Sequence, residues 1–100
     1  NQDKAAAEML RVVRSGGRIG LANWTPDGFI GQLFKTIGRR VPPAPGLRSP
    51  ALWGTRARIA ELFEADASSI VTAQRHYAFR YRSAQHWLEV FRTYYGPVLK

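Results

Sequence analysis

The sequence of 100 residues predicts an α/β protein that forms one small domain. Two patterns lead to this fold class. Residues 5–15 have the apolar spacing of a helix and are followed by Gly16, Gly17 and the short apolar run 19–22, which is typical of a buried strand. Residues 69–82 alternate between apolar and polar side chains, which predicts a long second strand. We therefore expect about two strands with flanking helices.

The beginning of the chain has the order of the last two-thirds of a βαβ unit. The predicted helix places one apolar face at i, i+3 and i+4 spacing, formed by Ala6, Met9, Leu10 and Val13. Gly16 or Gly17 can adopt the left-handed conformation that ends a helix. The run 19–22 has no polar alternation, so it is expected to be covered on both faces.

The middle of the chain predicts a second helix and a long loop. Thr25 is expected to cap this helix, with Pro26 as its first residue, and Gly38 is expected to end it. Its apolar face consists of Phe29, Ile30, Leu33, Phe34 and Ile37. Residues 41–54 then form a proline-rich loop, too rich in proline for a helix and long enough to be functional or flexible.

Two further helices are predicted around the second strand. Thr55 can cap a helix that runs to about Glu64, and Ser83 can cap a final helix that Gly96 stops. Within the strand, one side consists of Val71, Ala73, Tyr77, Phe79 and Tyr81. An unpaired edge of such a strand is a template for another chain, so we expect self-association through exposed strand edges.

Composition excludes several kinds of site. The chain has no cysteine, which excludes disulfides and thiolate metal sites, and His76 and His86 are too isolated to predict a metal centre. The absence of a signal sequence and of a long apolar stretch predicts a cytoplasmic protein without a membrane span. The carboxylates Glu61, Glu64 and Asp66 are better explained as a solvated helix end than as acid–base groups, so no catalytic residue is predicted.

Residues 10–24 read Leu-Arg-Val-Val-Arg-Ser-Gly-Gly-Arg-Ile-Gly-Leu-Ala-Asn-Trp. This segment resembles the helix and fifth strand of class I S-adenosylmethionine-dependent methyltransferases, in the branch of the ubiquinone/menaquinone biosynthesis enzymes. Ser15 stands where that branch commonly has proline. Weaker similarity continues through residues 25–32, 50–54, 77–84 and 94–97.

The resemblance implies that residues 1–100 are the C-terminal, substrate-side part of a methyltransferase domain, with part of a Rossmann-like sheet. It implies S-adenosylmethionine as the cofactor of the parent enzyme and a small apolar or aromatic molecule as the methyl acceptor. The glycine-rich cofactor loop of the family has no counterpart in this sequence, so no cofactor-binding residue is predicted and the chain alone is expected to be inactive.

The candidate substrate-binding residues follow the first predicted strand. Asn23, Trp24 and Thr25 come directly after it, at the strand end where open α/β sheets bind ligands. Phe29 and Trp53 would complete an aromatic lid, because the resemblance implies that this region lies over the acceptor. The alternative is that the large aromatic residues here, including Phe34, are simply core.

The net charge of +8 leaves a second function class open, a stand-alone basic binding module for nucleic acid or an acidic partner. The arginines are scattered along the chain, and no recognition-helix or RNA-binding motif accompanies them. Nucleic acid is therefore the less favoured partner.

Overall fold

The computed structural model describes residues 1–98 and is helical. Its α-helices are α1 (Gln2–Val12), α2 (Phe29–Arg40), α3 (Arg56–Phe63) and α4 (Ala84–Tyr94), and two 3-10 helices span Pro50–Gly54 and Gly96–Val98. No helix in this range is long and apolar enough to cross a membrane. The last two residues of the predicted domain, Leu99 and Lys100, lie outside the described residues.

The predicted α/β fold with its Rossmann-like sheet is wrong. No residue from 1 to 98 belongs to a strand, and segments 19–22 and 69–81 share no backbone hydrogen bond. Alternating side chains indicate which positions can face an apolar surface, but a strand also requires a neighbour that completes its hydrogen-bond ladder. Neither segment has such a neighbour in this range, so the strand edges expected to drive self-association are also absent there.

Local capping signals are confirmed in two places and wrong in a third. Thr55 and Ser83 each cap their helix, accepting hydrogen bonds from Arg58 N and His86 N. Thr25 does not cap α2. Its hydroxyl accepts from Gly28 N at 3.2 Å inside a turn, and the helix begins only at Phe29. Residues 25–28 therefore form a turn and not the first residues of the helix.

The first helix ends earlier than its glycines suggest. Its C-cap is Val13, whose backbone is extended, and Gly16 adopts the left-handed conformation (φ +69°) in the turn that follows. Within the proline-rich loop, Gly46 is also left-handed (φ +82°). The end of this loop is ordered as the 3-10 helix Pro50–Gly54, in which Ala51 is buried.

A buried arginine joins α1 to α3. Arg58 is 6% exposed, and its guanidinium contacts Asp3 Oδ1 at 2.8 Å and Glu61 Oε2 at 2.7 Å. Its Nε donates to Gln2 Oε1, and Gln2 in turn donates to the carbonyl of Ser49 in the proline-rich loop. Arg58 thus connects α1 to α3 directly. Through Gln2 it also connects these helices to the proline-rich loop, which lies between α2 and α3 in the chain.

Two glycines allow the backbone of residues 24–26 to approach neighbouring elements closely. A Cβ atom on Gly54 would lie 2.8 Å from Thr25 Cα and closer still to the Trp24 carbonyl oxygen. A Cβ on Gly31 would overlap the carbonyl groups of Thr25 and Pro26. The backbone from Trp24 to Pro26 therefore lies directly against the 3-10 helix and α2, at a distance that excludes any side chain.

The chain exposes far more surface than a compact protein of its mass. Its accessible surface is 8409 Å², whereas a folded monomer of 11.3 kDa is expected to expose about 5,700 Å². The radius of gyration is 16.1 Å, compared with about 13 Å for a typical domain of this length. Large parts of the surface are thus available to other molecules.

Replacing Gly54 by alanine should destabilise the chain by about 1–3 kcal/mol, because the new methyl group must displace the Trp24 backbone. Gly38→Ala is the matched control. Gly38 lies in α2 with open space around its Cβ position, so alanine should stabilise the chain by about 0.5–1 kcal/mol. Urea unfolding followed by circular dichroism measures the stability of both variants. Equal midpoints would contradict the close approach of Gly54 to the Trp24 backbone.

The Asp3–Arg58 contact predicts loss of stability in acid. The hydrogen bond from Arg58 holds the pKa of Asp3 below its ordinary value. A carboxylate with a lowered folded-state pKa stabilises the folded state above its unfolded pKa, and this contribution disappears as pH falls through the folded value. The melting temperature of Asp3→Asn should therefore lie below that of the native chain at pH 7, and the gap should close below about pH 4.

The control for this experiment is Asp27→Asn. Asp27 is 95% exposed and lies 3.9 Å from Lys35, so this pair should contribute little. Two results would contradict a stabilising Asp3–Arg58 contact. One is a melting-temperature difference between Asp3→Asn and the native chain that does not change with pH, and the other is an equal difference for Asp27→Asn.

Candidate functional site

An apolar cleft of about 310 Å³ opens beside residues 21–24. We call it the tryptophan cleft, because Trp24 and Trp53 line it together with Asn23. Its remaining walls come from Met9 of α1, Phe34 of α2, the 21–22 segment and the start of the 3-10 helix Pro50–Gly54. The amide of Asn23 is exposed and makes no hydrogen bond within residues 1–98, so it is available to a ligand in the cleft.

A second cavity, of about 500 Å³, lies between residues 77–81 and the start of α4. We call it the aromatic groove, since its lining is Phe29, Tyr77, Phe79, Tyr81, Ser83, Ala84 and Trp87. Phe29 is 5.4 Å from Phe79 and 5.5 Å from Trp87, measured between ring centroids. Phe29 therefore contacts both of the other rings.

Trp24 connects the two cavities. It lines the tryptophan cleft, and its ring centroid lies 5.6 Å from that of Phe79, which lines the aromatic groove. Phe79 also contacts the buried ring of Phe91 at 6.0 Å, and Phe91 lies 4.7 Å from Trp87. Edge-to-face and tilted aromatic pairs of this kind contribute about 0.5–1.5 kcal/mol each beyond their buried area. They attach the coil 69–81 to α4.

The five predicted site residues fall into three groups. Asn23, Trp24 and Trp53 meet in the tryptophan cleft. Phe29 lies in the aromatic groove instead, with half of its surface exposed. Thr25 belongs to neither cavity, because its hydroxyl is used by the turn before α2.

The alternative that these aromatic residues form the core holds in part. Trp53 is half-buried and packs against the buried Phe63, with ring centroids 6.2 Å apart. Phe34 is half-buried and Trp24 is 46% exposed. Trp53 therefore combines a packing role with a place in the cleft wall, whereas Trp24 retains an accessible face.

The sequence pattern marked most aromatic residues of the groove as apolar positions, but it did not predict that they line one cavity. The alternation predicts that Tyr77, Phe79 and Tyr81 share one side of a strand, and Trp87 falls within the predicted final helix. The signal that could have found the groove is the alternation of these rings immediately before a capped helix rich in aromatic residues. The indole N–H of Trp87 is buried and has no acceptor among the described residues.

No carboxylate or histidine lines either of the two cavities. Glu61 is paired with Arg58, and residues 1–98 contain no cluster of three histidine or acidic side chains that could hold a metal. His86 accepts a hydrogen bond from Arg82 N at 3.4 Å, and its ring meets Tyr81 edge-on. Burial raises the pKa of Tyr95, whose ring centroid lies 5.0 Å from that of Phe91. What the two cavities offer is binding of apolar or aromatic molecules.

Comparison with known proteins finds relatives that are described as uncharacterized proteins. The uncharacterized protein Rv1403c of Mycobacterium tuberculosis is 34% identical over 98 residues, which cover 96% of this chain and 36% of the relative. The uncharacterized proteins Rv1405c of the same species and Mb1440c of Mycobacterium bovis are 35% identical with the same coverage. The chain therefore spans little more than a third of the length of these relatives. No family model and no solved structure matches it.

Proposed function

We propose that this chain is the acceptor-binding part of an S-adenosylmethionine-dependent methyltransferase that acts on a small apolar or aromatic molecule. The observation that supports this proposal is the tryptophan cleft, where Asn23 and Trp24 of segment 10–24 meet Trp53 of segment 50–54. Both segments resemble the methyltransferase family. The proposal does not depend on a sheet within residues 1–98.

Methyl transfer depends mainly on the alignment of donor and acceptor, so an acceptor site needs few charged groups. The tryptophan rings would hold an apolar acceptor by burial, and the free amide of Asn23 would orient one polar atom of it. The cofactor would be bound by other parts of the parent enzyme, for which the relatives of nearly threefold greater length leave room. The proposal includes the cytoplasmic location expected from the sequence.

The second candidate is the basic binding module. The observation that favours it is the absence of Asp and Glu from residues 67–88, a stretch that carries Arg75, Arg80 and Arg82. Its weakness is that the most prominent cavities of the chain are lined by apolar and aromatic side chains. A salt-dependent affinity for oligonucleotides, in the absence of any effect of Trp53 on methyl transfer, would favour this candidate.

The 100-residue chain by itself should bind S-adenosylmethionine negligibly. The reason is that the sequence has no glycine-rich turn whose backbone could approach the cofactor closely. Isothermal titration calorimetry measures this directly. Micromolar binding to the isolated chain would contradict the proposed division between acceptor and cofactor sites.

Trp53→Ala in the full-length enzyme should lower kcat/KM for the acceptor more than it weakens cofactor binding, because Trp53 lines the cleft. Trp53→Phe is the control that retains a ring against Phe63, and it should restore the melting temperature more than acceptor use. Trp53→Ala could instead lower kcat/KM for the acceptor and the affinity for the cofactor equally, together with the melting temperature. In that case Trp53 is a core residue and the proposed site is wrong.

A further inference from the structure

The first part of the proline-rich loop belongs to neither cavity. Residues 41–49 are all exposed, and none of them lines the tryptophan cleft or the aromatic groove. Val41 is 53% exposed and Leu47 is 65% exposed. The segment therefore presents apolar side chains that the packing of residues 1–98 does not use, and the proposed acceptor site does not use them either.

Proline restricts the backbone of this segment to an extended form. Each of the three prolines in residues 42–45 holds φ at about −65°. A residue that precedes a proline is confined to the extended or polyproline II region, which applies at positions 41, 42 and 44. In the structure residues 42–44 lie in no helix or turn, and the carbonyl groups of residues 41–43 accept no hydrogen bond within residues 1–98. These are the features of polyproline II, which has about three residues per turn and no internal hydrogen bonds.

A tight turn ends the extended stretch. Leu47 N donates to the Ala44 carbonyl at 3.1 Å, and Gly46 has φ +82°. A proline followed by a residue with positive φ is the pattern of a type II turn, in which the second residue, here Pro45, keeps angles close to polyproline II. The stretch that presents this conformation is therefore residues 42–45.

Both ends of the stretch are held by the rest of the chain. Before it, Val41 N donates to the Ile37 carbonyl at 2.8 Å, which attaches the loop to α2. After it, the Ser49 carbonyl accepts from Gln2 Nε2 at 3.0 Å. Because the prolines and these two anchors already limit the freedom of the segment, its binding to a partner costs less ordering entropy than that of a flexible loop.

Three residues per turn place the side chains of the segment on three edges. Pro42 and Pro45 share the first edge. Val41 and Ala44 share the second, which leaves Pro43 on the third. The first two edges form a ridge of two X–Pro pairs that are spaced three residues apart. A Pro-x-x-Pro ridge is the shape that the grooves of SH3 domains accept between aromatic rings.

The surroundings of the ridge are positive. Arg39 and Arg40 end α2 directly before it and Arg48 follows it, and these exposed side chains form no ion pair within the described residues. Residues 28–60 contain no Asp or Glu. A complementary groove therefore carries carboxylates beside its rings. The aromatic groove of this chain does not meet this requirement, because no carboxylate lines it.

We propose that residues 41–45 are a docking segment for another protein, one with a groove that is lined by aromatic rings and bordered by carboxylates. The two X–Pro pairs lie between the rings, and the carboxylates pair with the arginines at 39, 40 and 48. The carbonyl groups of residues 41–43 accept hydrogen bonds from indole or hydroxyl groups of the groove. The proposal rests on the loop and does not depend on methyl transfer.

The test titrates the complete 100-residue chain with an isolated SH3 domain whose groove is bordered by carboxylates. A version of the same domain in which the groove tryptophan is replaced by alanine is the control. NMR of the backbone amides should show shifts of Val41, Ala44 and Leu47 with the first domain and none with the second, and added salt should weaken the binding. No binding of the intact domain, or shifts confined to other parts of the chain, would overturn the proposal.

Two proline variants of the chain separate recognition of the ridge from a general effect of loop flexibility. Pro42→Ala removes a central contact on the first edge and should weaken binding of the SH3 domain about fivefold or more. Pro43→Ala removes a proline from the same stretch but from the third edge, so it should weaken binding less than about twofold. Equal losses in the two variants would overturn the proposal.

A second copy of the chain and an anionic membrane are the other occupants to be tested. Sedimentation of the native chain and of Pro42→Ala should give the same mass, and vesicles of phosphatidylcholine and phosphatidylserine should bind both chains equally. Self-association that Pro42→Ala abolishes would assign the segment to a second copy. Vesicle binding that Pro42→Ala abolishes would assign it to a membrane, and either result would overturn the proposal.

Discussion

The close approach of Gly54 to the backbone of Trp24 and Thr25 is the constraint on which the arrangement of the tryptophan cleft depends. It leaves no space for a side chain between the proline-rich loop and the segment that carries Trp24. Because Gly31 restricts the same segment from the side of α2, the position of Trp24 is set by backbone packing rather than by its own ring. The ring can therefore line the tryptophan cleft and contact Phe79 while half of its surface stays accessible.

Arg58, four residues after Gly54, has a comparable role. A buried guanidinium is unfavourable unless its charge is compensated, and here Asp3, Glu61 and Gln2 supply the partners. Removing one partner would leave the charge incompletely paired, so α1, α3 and the loop at Ser49 depend on each other. This arrangement holds Met9 and the 3-10 helix in place as walls of the tryptophan cleft.

The coil 69–81 is attached in a different way. It has no ladder partner within residues 1–98, and its contacts with the rest of the chain come through the rings of Tyr77, Phe79 and Tyr81. The backbone groups of this coil make no hydrogen bond to the rest of residues 1–98, which is consistent with an accessible surface of 8409 Å² on so small a chain. The aromatic groove lies where rings rather than hydrogen bonds make this connection.

The sequence by itself determined the local features, because they depend on interactions within a few residues. The caps Thr55 and Ser83 and the helices α3 and α4 belong to this class. The apolar run 19–22 and the alternation of 69–81 could not show whether these segments would become strands, since a strand depends on a partner distant in the chain. The burial of Arg58 and the separation of Phe29 from Trp53 were likewise decided only by the tertiary structure, because each depends on which distant elements pack together.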